Sequence, residues 1–192
     1  MKKLHLYLVR HCESLGNREN IFQGQLDLDI SATGEKQLAL LALRFRNIPI
    51  DAVYSSPLKR AYKTAEAVDL YHSLPIIKLP ELMEVDVGAL SGMKLDKAFA
   101  DYPVFAEKWQ NSPQNCIFPE GETTAEVYDR AKKALARVKA DYRKRARRKA
   151  YPDTKGKSRR RQACYSHHGG FRVRRNAAFY RKCRAKSHRS AA

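Results

Sequence analysis

Residues 8–17 of the chain read Leu8-Val9-Arg10-His11-Cys12-Glu13-Ser14-Leu15-Gly16-Asn17. The segment over residues 4–9 is apolar on both faces, as is typical of a central parallel strand. It predicts a strand that delivers Arg10 and His11 to the edge of a sheet. Histidine can act as a nucleophile or base, and arginine can hold a phosphate through two parallel N–H bonds. This stretch therefore indicates phosphoryl chemistry.

Predicted strands and helices alternate along the chain as far as residue 142. Two further strands are predicted near residues 48–54 and 75–79. Helices are predicted after Ser31 as cap, after Ser56 as cap with Pro57 in the first position, over residues 95–109 with a break at Pro103, and after a capping box at residues 123–126. The expected class is α/β, a three-layer fold with a mostly parallel sheet flanked by helices.

The net charge of +18 is concentrated at one end of the chain. Residues 141–192 hold 19 of the 38 Lys and Arg residues but only two of the 20 acidic residues, Asp141 and Asp153. We therefore expect a domain over residues 1–142 and a basic C-terminal segment over residues 143–192. Arg159, Arg160 and Arg161 stand where the fold needs its next central strand, and burying them would be costly.

Three interpretations of this basic segment stay open. It is a nucleic-acid-binding or anionic-surface arm, a disordered extension, or the product of a reading-frame error.

Other classes of protein are disfavoured by the sequence. Cys12, Cys116, Cys164 and Cys183 have no paired spacing, so neither a disulfide framework nor a zinc site is expected. The first apolar run is too short for a signal peptide, and no run is long enough to span a membrane. The expected location is the cytoplasm.

Six motifs over residues 4–140, in the same order, resemble those of the histidine phosphatase superfamily, the phosphoglycerate-mutase-like enzymes. Residues 8–14 resemble its Arg-His-Gly-Glu hallmark, with Cys12 in place of glycine. The others are Asn17 with Gln23-Gly24, residues 27–37, residues 54–66, residues 82–92, and residues 119–123 with Arg130.

The resemblance implies a role for each matched residue. His11 would be the nucleophile that forms a phosphohistidine, and Glu84 the general acid, with Glu81 and Asp86 as its rivals. A working Glu84 requires a raised pKa, which burial can supply. Phosphate would be bound by the following residues: Arg10, Asn17, Gln23, Gly24, Arg60. No metal or other cofactor is expected.

The family also carries a second histidine before two glycines. His168, which directly precedes Gly169 and Gly170, is the candidate here and would also bind the phosphate, and His167 is its rival. Both histidines fall in the basic segment, where the expected preceding strand is missing.

The predicted function is hydrolysis of a small phosphomonoester, so the expected partner is a phosphorylated metabolite. Mutase chemistry is the alternative, although Glu84-Val85-Asp86-Val87-Gly88 lacks the Glu-Arg-His-Tyr-Gly that mutases carry. A further alternative is an inactive relative whose basic tail binds anions or nucleic acid; no membrane partner is expected and nucleic acid is not favoured. Residues 86–122 would set specificity.

Overall fold

The structure, a computed structural model, describes residues 4–150 of the chain, and the side chains of residues 4–145. Its helices and strands are, in chain order, α1 (Leu15–Glu19), α2 (Ala32–Phe45), β1 (Val53–Ser55), α3 (Lys59–Asp69), β2 (Ile76–Lys78), α4 (Leu95–Asp101), α5 (Pro103–Asn111) and α6 (Thr124–Ala150). Short 3₁₀ turns occur at Pro80–Leu82, Gly88–Leu90 and Pro113–Asn115.

The two strands form a parallel sheet, with Val53 opposite Ile76 and Ser55 opposite Lys78. Parallel neighbours need a crossover connection, and α3 supplies it. This β–α–β unit confirms the predicted α/β class, and the sheet within residues 4–150 has two strands.

The strand predicted over residues 4–9 is wrong for this structure. The segment joins no strand ladder within the described part of the chain, and all six side chains are exposed, with Leu8 84% exposed. A central strand needs a hydrogen-bonded neighbour along each edge. The β1–β2 sheet does not include residues 4–9, so an apolar composition alone does not make them a strand.

The start of α3 also differs from the prediction. The helix begins at Lys59, with Leu58 as its N-cap and no side-chain cap. The Ser56 hydroxyl instead accepts a hydrogen bond from the Leu58 N–H at 3.3 Å, within the turn that precedes the helix. Arg60 nevertheless lies in the first turn of α3, as expected.

The other predicted helix boundaries are confirmed. Ser31 caps α2 by accepting a hydrogen bond from the Gly34 N–H at 3.0 Å. The break at Pro103 separates α4 from α5, because proline is tolerated in the first turn of a helix but not within it. Thr123 and Glu126 form the predicted capping box at the start of α6.

The segment expected to set specificity folds around an aromatic core. The buried members of this cluster are Phe22, Val87, Leu90, Ala98, Phe105, Cys116 and Phe118. Phe22 comes from the loop after α1, and its ring makes edge-to-face contacts with Phe105 and Trp109. This core therefore packs α4 and α5 against the loop that carries Gln23 and Gly24.

Helix α6 passes residue 142, the proposed domain boundary, and continues to Ala150. By its internal contacts the chain divides into units at residues 1–152 and 153–192. Within the described part of the chain, no helix has both the length and the apolar character that crossing a membrane requires.

Candidate active site

His11 is half-buried, and its Nδ1 lies 2.7 Å from the backbone carbonyl oxygen of Cys12. A carbonyl only accepts hydrogen bonds, so Nδ1 carries the proton and neutral His11 keeps its lone pair on Nε2. Burial lowers the pKa of His11, and the nearby cations Arg60 and Arg10 lower it further. The neutral, nucleophilic form of the ring is therefore favoured.

Cys12 serves to pack this segment against α3. Its side chain is buried, and its backbone N–H donates to the Thr64 hydroxyl at 3.0 Å. The Thr64 hydroxyl in turn donates to the Arg60 carbonyl at 2.7 Å. Burial raises the pKa of the Cys12 thiol, which disfavours the reactive thiolate.

Ser14 organises the polar loop that follows His11. It is fully buried and caps α1. The Ser14 N–H donates to the Asn17 side-chain oxygen at 3.1 Å, and its hydroxyl donates to the Gln23 side-chain oxygen at 2.7 Å. With their oxygens so engaged, both amides keep their NH₂ groups for other acceptors.

Ser14 itself was missed as a site-building residue, although Ser followed by Asn three residues later is a capping signal that could have found it. Asn17 is exposed and Gln23 is buried.

Arg60 is only 2% exposed and binds the loop that contains Gly24. Its guanidinium donates to the carbonyls of Gly24 and Leu26, each at 2.7 Å. Both acceptors are neutral carbonyls. These two hydrogen bonds use two of the five N–H groups of the Arg60 guanidinium. Burial lowers the pKa of Arg60, while the carboxylates of Glu84 and Asp27 oppose that effect. A buried cation of this kind favours an anionic ligand.

Gly24 is required by a close approach between two loops. Its φ of +47° is a conformation that glycine adopts readily. A Cβ added there would lie 2.6 Å from the Val87 Cγ2 and 2.9 Å from the Val85 carbonyl oxygen. Because Gly24 has no side chain, the loop that contains it and that Arg60 binds can pack against the segment that follows Glu84.

Glu84 lies within electrostatic range of both His11 and Arg60. Its side chain is exposed, and Oε1 accepts a hydrogen bond from the Val85 N–H at 3.2 Å. The described residues therefore do not supply the burial that was expected at Glu84. Of its rivals, Asp86 accepts a hydrogen bond from the Gly88 N–H, and Glu81 has one buried carboxylate oxygen without a described partner.

An open cleft of about 320 Å³ adjoins His11 on the α2 side. Its lining comprises Arg10, His11, Cys12, Gln37, Leu40, Leu41 and Arg44. Arg10 is exposed there, whereas Arg60 and Glu84 do not line this cleft.

The structure thus brings five predicted residues into two groups, one around His11 and one around Ser14. Arg10, Arg60 and Glu84 interact electrostatically with the imidazole, while Asn17 and Gln23 meet at Ser14. His168 and His167 lie outside the described residues. Among the residues that the structure describes, no group of three or more His, Cys, Asp or Glu side chains could hold a metal ion.

The chain belongs to the histidine phosphatase superfamily (branch 1), because the model of that family matches residues 6–147. This result confirms the resemblance that the six motifs indicated.

Two proteins similar to this chain carry the names of different enzymes, one a phosphatase and the other a mutase. Phosphoserine phosphatase 1 of Hydrogenobacter thermophilus is 40% identical over 134 residues, which cover 70% of this chain and 64% of that protein. The protein named "Probable phosphoglycerate mutase GpmB" of Erwinia tasmaniensis is 33% identical over 132 residues, which cover 69% of this chain and 61% of that protein. The match thus spans less than two thirds of the length of each.

Solved structures agree on the fold. The alpha-ribazole phosphatase from Shigella flexneri matches with a TM-score of 0.64 and 26% sequence identity, over 70% of this chain and 66% of that chain. The described part of this chain therefore has the fold of the superfamily.

Proposed function

We propose that the protein hydrolyses a small phosphomonoester through a phosphohistidine on His11. The observation that carries the proposal is the hydrogen bond between His11 Nδ1 and the Cys12 carbonyl, which leaves the Nε2 lone pair available. The charges of Arg60, Arg10 and Glu84 act on that ring, and phosphoryl transfer relies on cations that neutralise the phosphoryl oxygens and on a group that handles the proton.

In the first step, His11 Nε2 attacks phosphorus in line with the leaving oxygen. The P–N bond forms as the P–O bond to the organic group breaks. Protonated Glu84 gives its proton to the leaving oxygen, so the products are an alcohol, the phosphohistidine and the Glu84 carboxylate. Arg60 and Arg10 neutralise the charge on the phosphoryl oxygens.

In the second step, water attacks phosphorus and the P–N bond breaks. The Glu84 carboxylate takes a proton from that water, which restores its acid form, and inorganic phosphate and neutral His11 are released. Asn17 and Gln23, whose NH₂ groups are not engaged by Ser14, would donate hydrogen bonds to the phosphate in both steps.

The substrate is proposed only as a class, a small organic phosphate in the cytoplasm. Relatives with this fold are named for phosphoserine and alpha-ribazole, so the class accommodates chemically different alcohols. Mutase chemistry is the second candidate, because a relative named as a phosphoglycerate mutase matches at 33% identity. The same His11 would then pass its phosphate to a second hydroxyl instead of to water.

The test is hydrolysis of p-nitrophenyl phosphate in the presence of a chelator, by the chain and by His11→Ala. His5→Ala is the matched control, because His5 is an exposed histidine of the same segment. We expect His11→Ala to lose roughly a thousandfold or more in kcat/KM, as removal of a nucleophile does. His5→Ala should retain full activity.

The stability of the protein-bound phosphate in acid and in base identifies the kind of covalent intermediate. A phosphohistidine is lost in acid and persists in base, so radioactive phosphate trapped by alkaline quench on the chain but not on His11→Ala supports the proposal. A folded chain without turnover, or turnover that survives His11→Ala, would contradict it.

A further inference from the structure

Arg130 on α6 uses all five of its N–H groups in hydrogen bonds within the protein. Nε and Nη2 donate to the two carboxylate oxygens of Glu122, each at 2.9 Å. Nη1 and Nη2 also donate to the backbone carbonyls of Glu81, Met83 and Glu84. A guanidinium has five N–H donors, so none is left for a ligand. Arg130 therefore differs from Arg60 and cannot serve as a phosphate-binding group.

The carbonyls that Arg130 binds belong to the segment that carries Glu84. On the other side of Glu84, the Glu122 carboxylate accepts a hydrogen bond from the Asp86 N–H at 2.9 Å, and the Glu122 N–H donates to the Asp86 carbonyl at 2.9 Å. Residues 83–87 lie between two 3₁₀ turns and form neither a helix nor a strand. One ion pair thus fixes the backbone on both sides of the proposed general acid.

The pair is well suited to hold a fixed geometry. Arg130 and Glu122 have side chains only 17% and 25% exposed. Their two parallel, charge-assisted hydrogen bonds are both stronger and more directional than a single contact. The hydrogen bond from Arg130 lowers the pKa of Glu122, and the Asp86 N–H lowers it further, so the carboxylate stays ionised.

We propose that Arg130 and Glu122 are positioning residues that set where the Glu84 carboxyl lies relative to the leaving oxygen. This inference rests on the proposed function and extends it to a pair that touches no reacting atom. The step it governs is the transfer of the Glu84 proton to the leaving oxygen as the P–O bond breaks. A displacement of about 1 Å at such a group costs roughly a hundredfold in rate.

The first experiment compares two substrates that differ in their need for a proton. The p-nitrophenolate ion leaves readily unprotonated, whereas the more basic phenolate released from phenyl phosphate depends on a general acid. For Arg130→Met we expect kcat/KM on phenyl phosphate to fall roughly 10- to 100-fold, and kcat/KM on p-nitrophenyl phosphate to fall by less than about threefold. Glu122→Gln and Glu84→Gln should show the same selectivity.

The control for this comparison is Asp129→Asn, which breaks the exposed pair between Asp129 and Lys132 on the same helix. It should leave kcat/KM unchanged on both substrates. Equal losses by Arg130→Met on the two substrates would indicate a general structural role and overturn the proposal. Unchanged activity on phenyl phosphate would overturn it as well.

The second experiment does not depend on turnover. Hydrogen exchange of the Asp86 amide, which donates to Glu122, reports directly on the segment around Glu84. In Arg130→Met we expect this amide to exchange at least about tenfold faster while amides in α2 are unchanged, because only the local opening becomes easier. Asp129→Asn should leave Asp86 as protected as in the parent chain.

The two measurements separate the two proposals. If the parent chain and His11→Ala both lack turnover, the proposed function fails, and with it the catalytic part of this inference. If turnover is present but the Asp86 amide of Arg130→Met exchanges as in the parent, the positioning role alone is overturned.

Discussion

At the scale of single residues, the hydrogen bond from His11 to the Cys12 carbonyl decides the chemistry. A histidine without such a partner divides its proton between the two ring nitrogens, and either could be the nucleophile. Here the carbonyl at 2.7 Å from Nδ1 selects one tautomer. Arg10 and Arg60 then disfavour the charged ring, which keeps Nε2 able to attack phosphorus.

The protonation of His11 gives a prediction at this scale. Burial together with the two arginines lowers its pKa below the ordinary 6.5, so the folded chain binds fewer protons at His11 than the unfolded chain. Stability from this site is present above pH 6.5 and is lost as the pH falls from the unfolded pKa through the folded one. Proton NMR titration of the His11 ring should give a midpoint below 6.5.

The urea-unfolded chain provides the reference, since unfolding removes both the burial of His11 and its fixed approach to the two arginines. A His11 midpoint in the folded chain at or above that in the unfolded chain would show that burial and the two arginines do not control the ring.

At the scale of elements, the start of α2 is joined to the segment that carries His11. Ser31 caps the helix, and its hydroxyl also donates to the Glu13 carboxylate. The Ser31 N–H donates to the Glu13 carbonyl at 2.9 Å, and the Glu13 N–H donates to the Gln37 side chain at 2.8 Å. The helix therefore supports the residue two positions beyond His11 through both its backbone and its side chain.

Substitution of the cap tests this connection. Ser31 is only 1% exposed. Ser31→Ala removes the hydrogen bond that its hydroxyl accepts from the Gly34 N–H and the one that it donates to the Glu13 carboxylate. We expect the free energy of unfolding to fall by about 1–2 kcal/mol, within the range for lost N-caps. Urea unfolding followed by circular dichroism measures it.

Thr33→Ala is the matched control for the cap, because Thr33 is an exposed residue of the same helical turn. It should change the unfolding free energy by less than about 0.5 kcal/mol. Equal effects of the two substitutions would mean that the Ser31 cap contributes nothing specific.

At the scale of the whole molecule, the main question is what residues 4–9 contribute to stability. They are apolar, yet they lie exposed and outside the β1–β2 sheet. Leu79, by contrast, is completely buried at the end of β2, and its N–H donates to the Ser55 carbonyl. Burial, and not composition, determines how much each leucine stabilises the fold.

Leu8 and Leu79 therefore form a matched pair. Leu8→Ala should change the free energy of unfolding by less than about 0.5 kcal/mol, since an exposed side chain loses little on truncation. Leu79→Ala should cost about 2–5 kcal/mol, as deletion of a buried leucine does. Denaturant unfolding of both variants measures the difference, and a loss above about 2 kcal/mol for Leu8→Ala would show a buried strand there after all.

The local order of the chain could be predicted from its sequence because it depends on neighbours along the chain. The Ser31 cap, the break at Pro103 and the capping box at Thr123 and Glu126 are interactions within one turn of helix. The superfamily could be recognised for a similar reason, since its motifs are contiguous runs around His11, Arg60 and Glu84. The pattern of residues over short stretches of sequence was sufficient to predict these features.

Tertiary structure alone decided the features that depend on residues far apart in the chain. Whether residues 4–9 form a strand depends on a hydrogen-bonded neighbour that their own composition does not specify. Likewise, the attachment of Arg130 to the segment of Glu84 joins residues 46 positions apart. A sequence pattern shows which side chains are able to interact, whereas the folded backbone determines the distances at which their charges and hydrogen bonds act.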